Sequence, residues 1–171
     1  SSDVCSSDLN IEPTVTAHSP IASINIQKFI KNTILNPVLT ISTNTGYAPM
    51  GWGLPAALGA LSAKSSDRLI CITGDGGLMM SLQDLASIPQ DSNFILFLYN
   101  NFGYLTQRQT QLSTFGRLTG VDQSSGLKFP NYSGIAKAFD LKYFLISPKD
   151  NLKSKVSEVF QETGPIFVEV L

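Results

Sequence analysis

Apolar residues in this chain follow two rhythms. Continuous apolar runs at 68–73 (RLICIT), 93–99 (NFILFLY) and 166–170 (IFVEV) are short and bounded by Gly, Pro, Asn or Asp, so they predict strands buried on both faces. Segments 38–42 and 143–146 also read as strands. Between them the spacing turns helical. Ile26, Phe29, Ile30 and Ile34 predict a helix over 23–35, and 54–63 is rich in Ala and Leu, with Pro55 admissible in a first turn. Helices over 78–88, 131–139 and 149–160 complete the pattern, and a short one fits near 104–112 within a polar, glycine-bearing stretch. Doubly buried strands alternating with helices predict an α/β fold: a parallel sheet with helices on both faces, as a single domain over 23–171. Ligands of such sheets sit beyond the carboxyl ends of strands, which here are the turns at 43–51, 74–78 and 100–104.

The bulk numbers agree with one domain. A chain of 171 residues buries roughly 70% of its extended surface on folding. With 43% hydrophobic and 15% charged residues it can fill a large core, and no apolar run approaches the ~20 residues of a membrane span. A net charge of −1 gives no electrostatic case for nucleic acid. The opening SSDVCSSDL resembles the in-frame translation of a sequencing-library adapter, so residues 1–9 are set apart as foreign or disordered, and 10–22 are expected to be an irregular lead-in. Without those nine residues the chain has 11 acidic and 12 basic residues, a net of +1, and Cys71 is its one cysteine. Cys71 lies in an apolar strand and reads as a small core residue of a reducing, cytoplasmic protein. An adapter abutting Asn10 implies that upstream sequence is missing.

The chemistry gathers at two turns. Gly74-Asp75-Gly76-Gly77 separates a strand from a helix, and its glycines let backbone N–H groups approach a ligand closely. The following helix start favours phosphate. Asp75 would repel phosphate unless a cation lay between, and Mg²⁺ takes the required oxygen ligands. A plain turn with Asp75 as helix N-cap, exposed and adding little to the core, explains the same residues. The second turn, Asn100-Asn101-Phe102-Gly103-Tyr104, follows the very next strand, and parallel pairing would bring its carboxamide and carbonyl oxygens beside Asp75. A GDG and an NN separated by 23 residues, one on each of two consecutive strands, form a specific signal.

These motifs, with Met50-Gly51-Trp52-Gly53-Leu54-Pro55-Ala56-Ala57 upstream, resemble the diphosphate-binding domain of thiamine-diphosphate enzymes, most closely the acetolactate synthase-like branch. The resemblance spans about residues 20–171, although the family's spacer between GDG and NN is somewhat longer. It implies thiamine diphosphate and Mg²⁺ as cofactors. Asp75, the Asn101 side chain and the Gly103 carbonyl would ligate the metal. Gly74, Gly76, Gly77 and Tyr104 would line the diphosphate, Met50 would be the apolar wedge that bends the cofactor, and the Ala48 carbonyl would accept from its aminopyrimidine. Activation also needs a glutamate from another domain, usually on a neighbouring subunit, and no segment here resembles that domain. The implied protein decarboxylates a 2-oxo acid and couples the product to a second carbonyl, as a dimer or tetramer or with a separate partner subunit.

Thr106-Gln107-Arg108-Gln109 looks like the family's T-Q-W-Q, two residues closer to NN, with arginine in place of the tryptophan that shapes the acceptor pocket. Arg108 is thereby a candidate substrate contact suited to an anionic acceptor, or else a solvated helix residue. His18 reads as a surface residue, Asn131-Tyr132-Ser133 as a coincidental glycosylation sequon, Met79 and Met80 as packing beneath the glycine turn, and 149–155 as a solvated helix face. Two other readings stay open: a natural small subunit of a two-chain 2-oxo acid decarboxylase, and a non-catalytic Rossmann-like binding module.

Overall fold

Strand pairing organises the molecule. The computed structural model describes residues 14–17, 40–43, 47, 49–63 and 68–171. Six strands, β1 (Thr14–Ala17), β2 (Thr40–Thr43), β3 (Leu69–Gly74), β4 (Phe94–Tyr99), β5 (Lys142–Ile146) and β6 (Ile166–Val170), form one parallel sheet in the order β2-β1-β3-β4-β6-β5. The helices are α1 (Gly53–Ala63), α2 (Asp75–Met79), α3 (Leu105–Phe115), α4 (Tyr132–Ala138) and α5 (Leu152–Gln161), with 3₁₀ turns at Leu82–Ser87 and Gln123–Ser125.

The unbroken apolar runs are explained by cores on both faces of the sheet. Leu69 and Cys71 of β3, Phe94, Leu96 and Leu98 of β4 and Phe167 of β6 pack with Leu54, Ala57 and Leu61 of α1 and with Tyr132 and Ala136 of α4. The alternate residues Ile70, Ile72, Ile95, Phe97, Ile166 and Val168 pack with Val156 and Val159 of α5. Period-2 alternation therefore sends every second residue to a different core, and each fully buried Leu, Ile or Phe stabilises by ~1.5–3 kcal/mol. The expected α/β sheet covered on both faces is what forms.

Three local expectations are corrected. Thr14–Ala17 lies inside the stretch expected to be irregular, yet it forms β1 and pairs with both β2 and β3. Four residues, TVTA, are too short a run to signal a strand by periodicity. The helix expected over 78–88 begins earlier, at Asp75, and stops at Met79. The chain then tightens into the 3₁₀ turn. Leu78, Leu85 and Ile88 are all buried across that break, so apolar spacing does not register the change. Met80 is half exposed rather than packed beneath the turn. The expected helix over 23–35, together with His18, lies outside the described residues.

Chain direction across the sheet reverses between β1 and β3, since β2 lies on one side and β4, β6 and β5 on the other. A crevice opens at such a switch point, beyond the carboxyl ends of the strands. The loop after β2 and the turns after β3 and β4 stand at that end.

Cys71 is fully buried in β3. Cys71→Ser puts a hydroxyl among apolar side chains and should lower unfolding free energy by about 1–3 kcal/mol in urea titration.

Candidate functional site

Asp75 is the first residue of α2, after the extended N-cap Gly74, and is 2% exposed. Its two carboxyl oxygens accept hydrogen bonds from different loops. Oδ1 takes the Gly76 N–H at 2.8 Å, and Oδ2 takes the Gly103 N–H at 2.9 Å, across from the turn after β4. The exposed N-cap reading therefore fails: Asp75 caps nothing through its side chain, and it ties two turns together from a buried position. Burial pushes its pKa above the ordinary carboxylate value, while the backbone N–H groups of Gly103, Gly76 and Asn101 and the more distant charge of Arg108 act against that rise.

Close packing around these turns requires glycine at three positions. A Cβ at Gly76 would collide with the Tyr104 ring and lie 3.2 Å from the Met50 methyl, so Met50, Gly76 and Tyr104 meet with no space between them. A Cβ at Gly103 would collide with the Val121 carbonyl, and φ of +150° already excludes ordinary side chains there. The chain just before α1 also touches the end of α2 at Gly51, where a Cβ would stand 2.9 Å from the Met80 Cβ. The Tyr104 ring leans edge-on against Phe129, with centroids 5.9 Å apart.

Beneath the second turn lies a buried polar group that sequence reasoning overlooked. Asn100 donates from Nδ2 to Glu169 of β6 at 2.6 Å and accepts from the Phe102 N–H at 3.0 Å. Glu169 accepts on its other oxygen from the Tyr143 hydroxyl at 2.5 Å. Burial, then this hydrogen bond, holds the Tyr143 phenol well above its usual range, so it remains a donor. Tyr132 is buried, stacks on Phe167 at 6.1 Å, and its hydroxyl has no partner among the described residues. Burial, then the charges of Asp75 and Glu169, raise its pKa as well. One signal could have found Glu169: it is the lone carboxylate in the otherwise apolar run IFVEV.

Arg108 lies one turn into α3. Its guanidinium donates to the Asn101 carbonyl at 3.0 Å and pairs with Asp122 at 3.8 Å. Hydrogen bonds from Ser124 and Ser125 hold Asp122 below the ordinary carboxylate value, and Asp122 caps the 3₁₀ turn Gln123–Ser125. Two groups of this chain thus already engage the arginine.

Of the residues named from sequence, Met50, Gly74, Asp75, Gly76, Gly77, Asn101, Gly103 and Tyr104 all stand on the converging turns, with Arg108 at their margin. Ala48 lies outside the described residues. The Asn101 side chain is exposed and makes no hydrogen bond within the described residues. Asp75, the Asn101 carboxamide and the Gly103 carbonyl supply one anionic and two neutral oxygens, the donor chemistry of a hard-cation site. Asn131 needs no glycan to explain it, since its side chain caps α4 by accepting the Gly134 N–H at 3.0 Å.

An open parallel sheet with a glycine-flanked carboxylate at its switch point, and an Asn-Asn turn on the neighbouring strand, is the architecture of a cofactor-binding domain of the α/β class. Residues 24–170 match the family model described as thiamine pyrophosphate enzyme, C-terminal TPP binding domain. The chain belongs to that family, and thiamine diphosphate is the cofactor of its domain. It is 30% identical over 131 residues to the acetolactate synthase large subunit of Cyanidium caldarium, which is 75% of this chain and 22% of that protein. It is 32% identical over 129 residues to the large subunit of Pyropia yezoensis, covering 74% and 22%. The mitochondrial acetolactate synthase of Schizosaccharomyces pombe is 33% identical over 135 residues, covering 77% and 19%. The chain thus spans about a fifth of the length of the curated relatives it matches.

The raised pKa of Asp75 fixes a sign. As pH climbs above the ordinary carboxylate range, the unfolded chain gives up this proton before the folded chain does, so this group's contribution to stability is lost. In chelator, the stability of the wild-type chain relative to Asp75→Asn should fall as pH rises from 4 to 7; urea titrations across that range, flat or rising, would contradict it.

Proposed function

We propose that this chain is the diphosphate-binding domain of a thiamine-diphosphate enzyme acting on a 2-oxo acid, decarboxylating it and joining the product to a second carbonyl as the named activity of its relatives suggests. One observation carries the reading. Asp75 reaches across from the GDG turn to the Gly103 N–H of the NN turn, so the two motifs form one site.

The residues fit a diphosphate held through Mg²⁺. Asp75 is a buried carboxylate with strong need of a cation, and the Asn101 carboxamide and Gly103 carbonyl stand on the turn it grips. In this assignment those three groups ligate the metal, and the Gly76 and Gly77 backbone cradles the phosphates. Met50, in contact range of the Gly76 backbone, supports the bend of the cofactor. Thiamine diphosphate, once bound, supplies the nucleophilic carbon and the electron sink for decarboxylation. The protein's part here is to fix the diphosphate end. The glutamate that activates the other end would come from a different domain, on the same protein or on a partner subunit. Arg108, on this reading, acts first by holding the Asn101 carbonyl, and its role as a contact for an anionic acceptor stays part of the proposal.

A partner surface belongs to the same reading. No residue of α3 is buried, and Leu105, Leu112 and Phe115 are exposed along it, with Phe102, Met50 and Tyr47 exposed on the neighbouring turns. These apolar groups surround the site and suit burial against a second subunit, giving at least a dimer. No described helix is long and apolar enough to cross a membrane. The cytoplasmic location expected from the sequence belongs to the same proposal.

Calorimetry of the chain with thiamine diphosphate should show binding that requires Mg²⁺, with Asp75→Asn weakening it by at least the 10–100-fold that loss of a metal ligand's supporting partner costs. Binding indifferent to Mg²⁺, or none, would favour a non-catalytic module. With both cofactors present, the chain alone should not release CO₂ from pyruvate. Turnover without an added protein would refute the assignment of the activating glutamate to another domain.

A further inference from the structure

Glu169 occupies an unexpected place. It is 8% exposed on β6, between Val168 and Val170, where the register sets it beside Leu98 of β4 and Leu145 of β5. A sheet built for stability alone would carry an aliphatic side chain at this position, because a buried carboxyl group recovers its desolvation cost only through good hydrogen bonds. Glu169 has two, and both go to side chains: Asn100 on one oxygen and Tyr143 on the other.

The Asn100 bond has a directional consequence. A carboxamide has a donor end and an acceptor end. Glu169 takes the donor end, so the Asn100 oxygen must face the turn, where it accepts the Phe102 N–H. Phe102 needs that support, because its φ of +55° is strained for a bulky side chain and its ring is exposed. The backbone of Asn100 is fixed separately, through its N–H on the Val170 carbonyl. Gly103, the residue after Phe102, donates to Asp75. A continuous chain of hydrogen-bonded and covalent links therefore runs from Glu169 through Asn100, Phe102 and Gly103 to the Asp75 carboxylate.

We propose that Glu169 is a positioning residue for the cofactor site: by fixing the orientation of the Asn100 carboxamide it holds the 100–103 turn in the strained shape that presents Asn101 and Gly103 to Asp75. The inference rests on the reading of these turns as the Mg²⁺–diphosphate site, and its test has one arm that does not.

Glu169→Leu removes the acceptor, and Glu169→Thr, a strand former too short to reach Asn100, gives the same readout if the leucine variant does not fold. Glu169→Gln is the conservative rescue, since its oxygen still accepts from Asn100 while its amide faces the Tyr143 hydroxyl. Tyr143→Phe is the structural control: it breaks the other bond to Glu169 and leaves Asn100 held. The first arm reads amide hydrogen exchange in the chain without cofactors. Exchange at Phe102 and Gly103 should accelerate by about tenfold or more in the leucine or threonine variant, the scale of one lost charge-assisted bond, while amides of β3 and β4 keep their protection. The second arm reads Mg²⁺-dependent thiamine diphosphate affinity well below the melting temperature. It should weaken by about tenfold or more in the same variants, and stay within about threefold in Glu169→Gln and Tyr143→Phe. Unchanged exchange at Phe102 and Gly103 overturns the proposal, as does wild-type affinity in a folded leucine or threonine variant, or a Tyr143→Phe loss as large as theirs. A wild-type chain that fails to bind the cofactor defeats the reading of the site instead, and the exchange arm then decides the role of Glu169.

Discussion

A single carboxylate, buried and shared between two loops, ties together the turns after β3 and β4 at the carboxyl edge of the sheet. Asp75 stands where β3 becomes α2 and grips the Gly103 N–H in the turn after β4. Parallel pairing of Gly74 with Tyr99 brings those turns side by side. The side chain then draws them into contact, which obliges Gly76 to lie against Tyr104 and Gly103 to lie against Val121. The arrangement carries an electrostatic debt, since burial disfavours the charged form and neutral backbone N–H donors relieve it only in part. In the function proposed above, a divalent cation would relieve this debt and present positive charge to an incoming phosphate.

The sheet beneath gives that edge its rigidity. Splitting β3, β4 and β6 into odd and even residues feeds two separate cores, so both strands that bear the motifs are clamped from above and below. The loops inherit their position from the strands and their shape from a few polar contacts: Asp75 to Gly103, Asn100 to Phe102 and Arg108 to Asn101. Precision here comes from division of labour. Apolar burial fixes where the loops start, and directional hydrogen bonds fix where they go.

Much of this was legible in the sequence because it depends on local pattern. Doubly apolar runs identified β3, β4 and β6, and the order of strands and helices identified the fold class. GDG and NN on consecutive strands anticipated that their turns would be neighbours. What escaped depends on contacts distant in sequence. TVTA became β1 through pairing with β2 and β3, which no run of four residues announces. Asp75 was expected on an exposed turn, because the contact that helps bury it comes from a partner 28 residues away. Glu169 drew no reading from the sequence, because the Asn100 side chain that it holds lies 69 residues earlier. The break of the helix at Met79 was hidden because the 3₁₀ turn keeps Leu85 on the buried side.

The glycine contacts also bear on how the protein can vary. Loops ordinarily tolerate change better than the strands they join. Here, Gly51, Gly76 and Gly103 each lack room for even a methyl group, the first and last at backbone angles that other residues rarely adopt. Core positions such as Ile70 or Leu96 can exchange one aliphatic shape for another at modest cost. The map of permissible substitutions is therefore inverted across this edge: the apolar core of the sheet is the more forgiving region, and the turns above it are the least negotiable part of the genetic text.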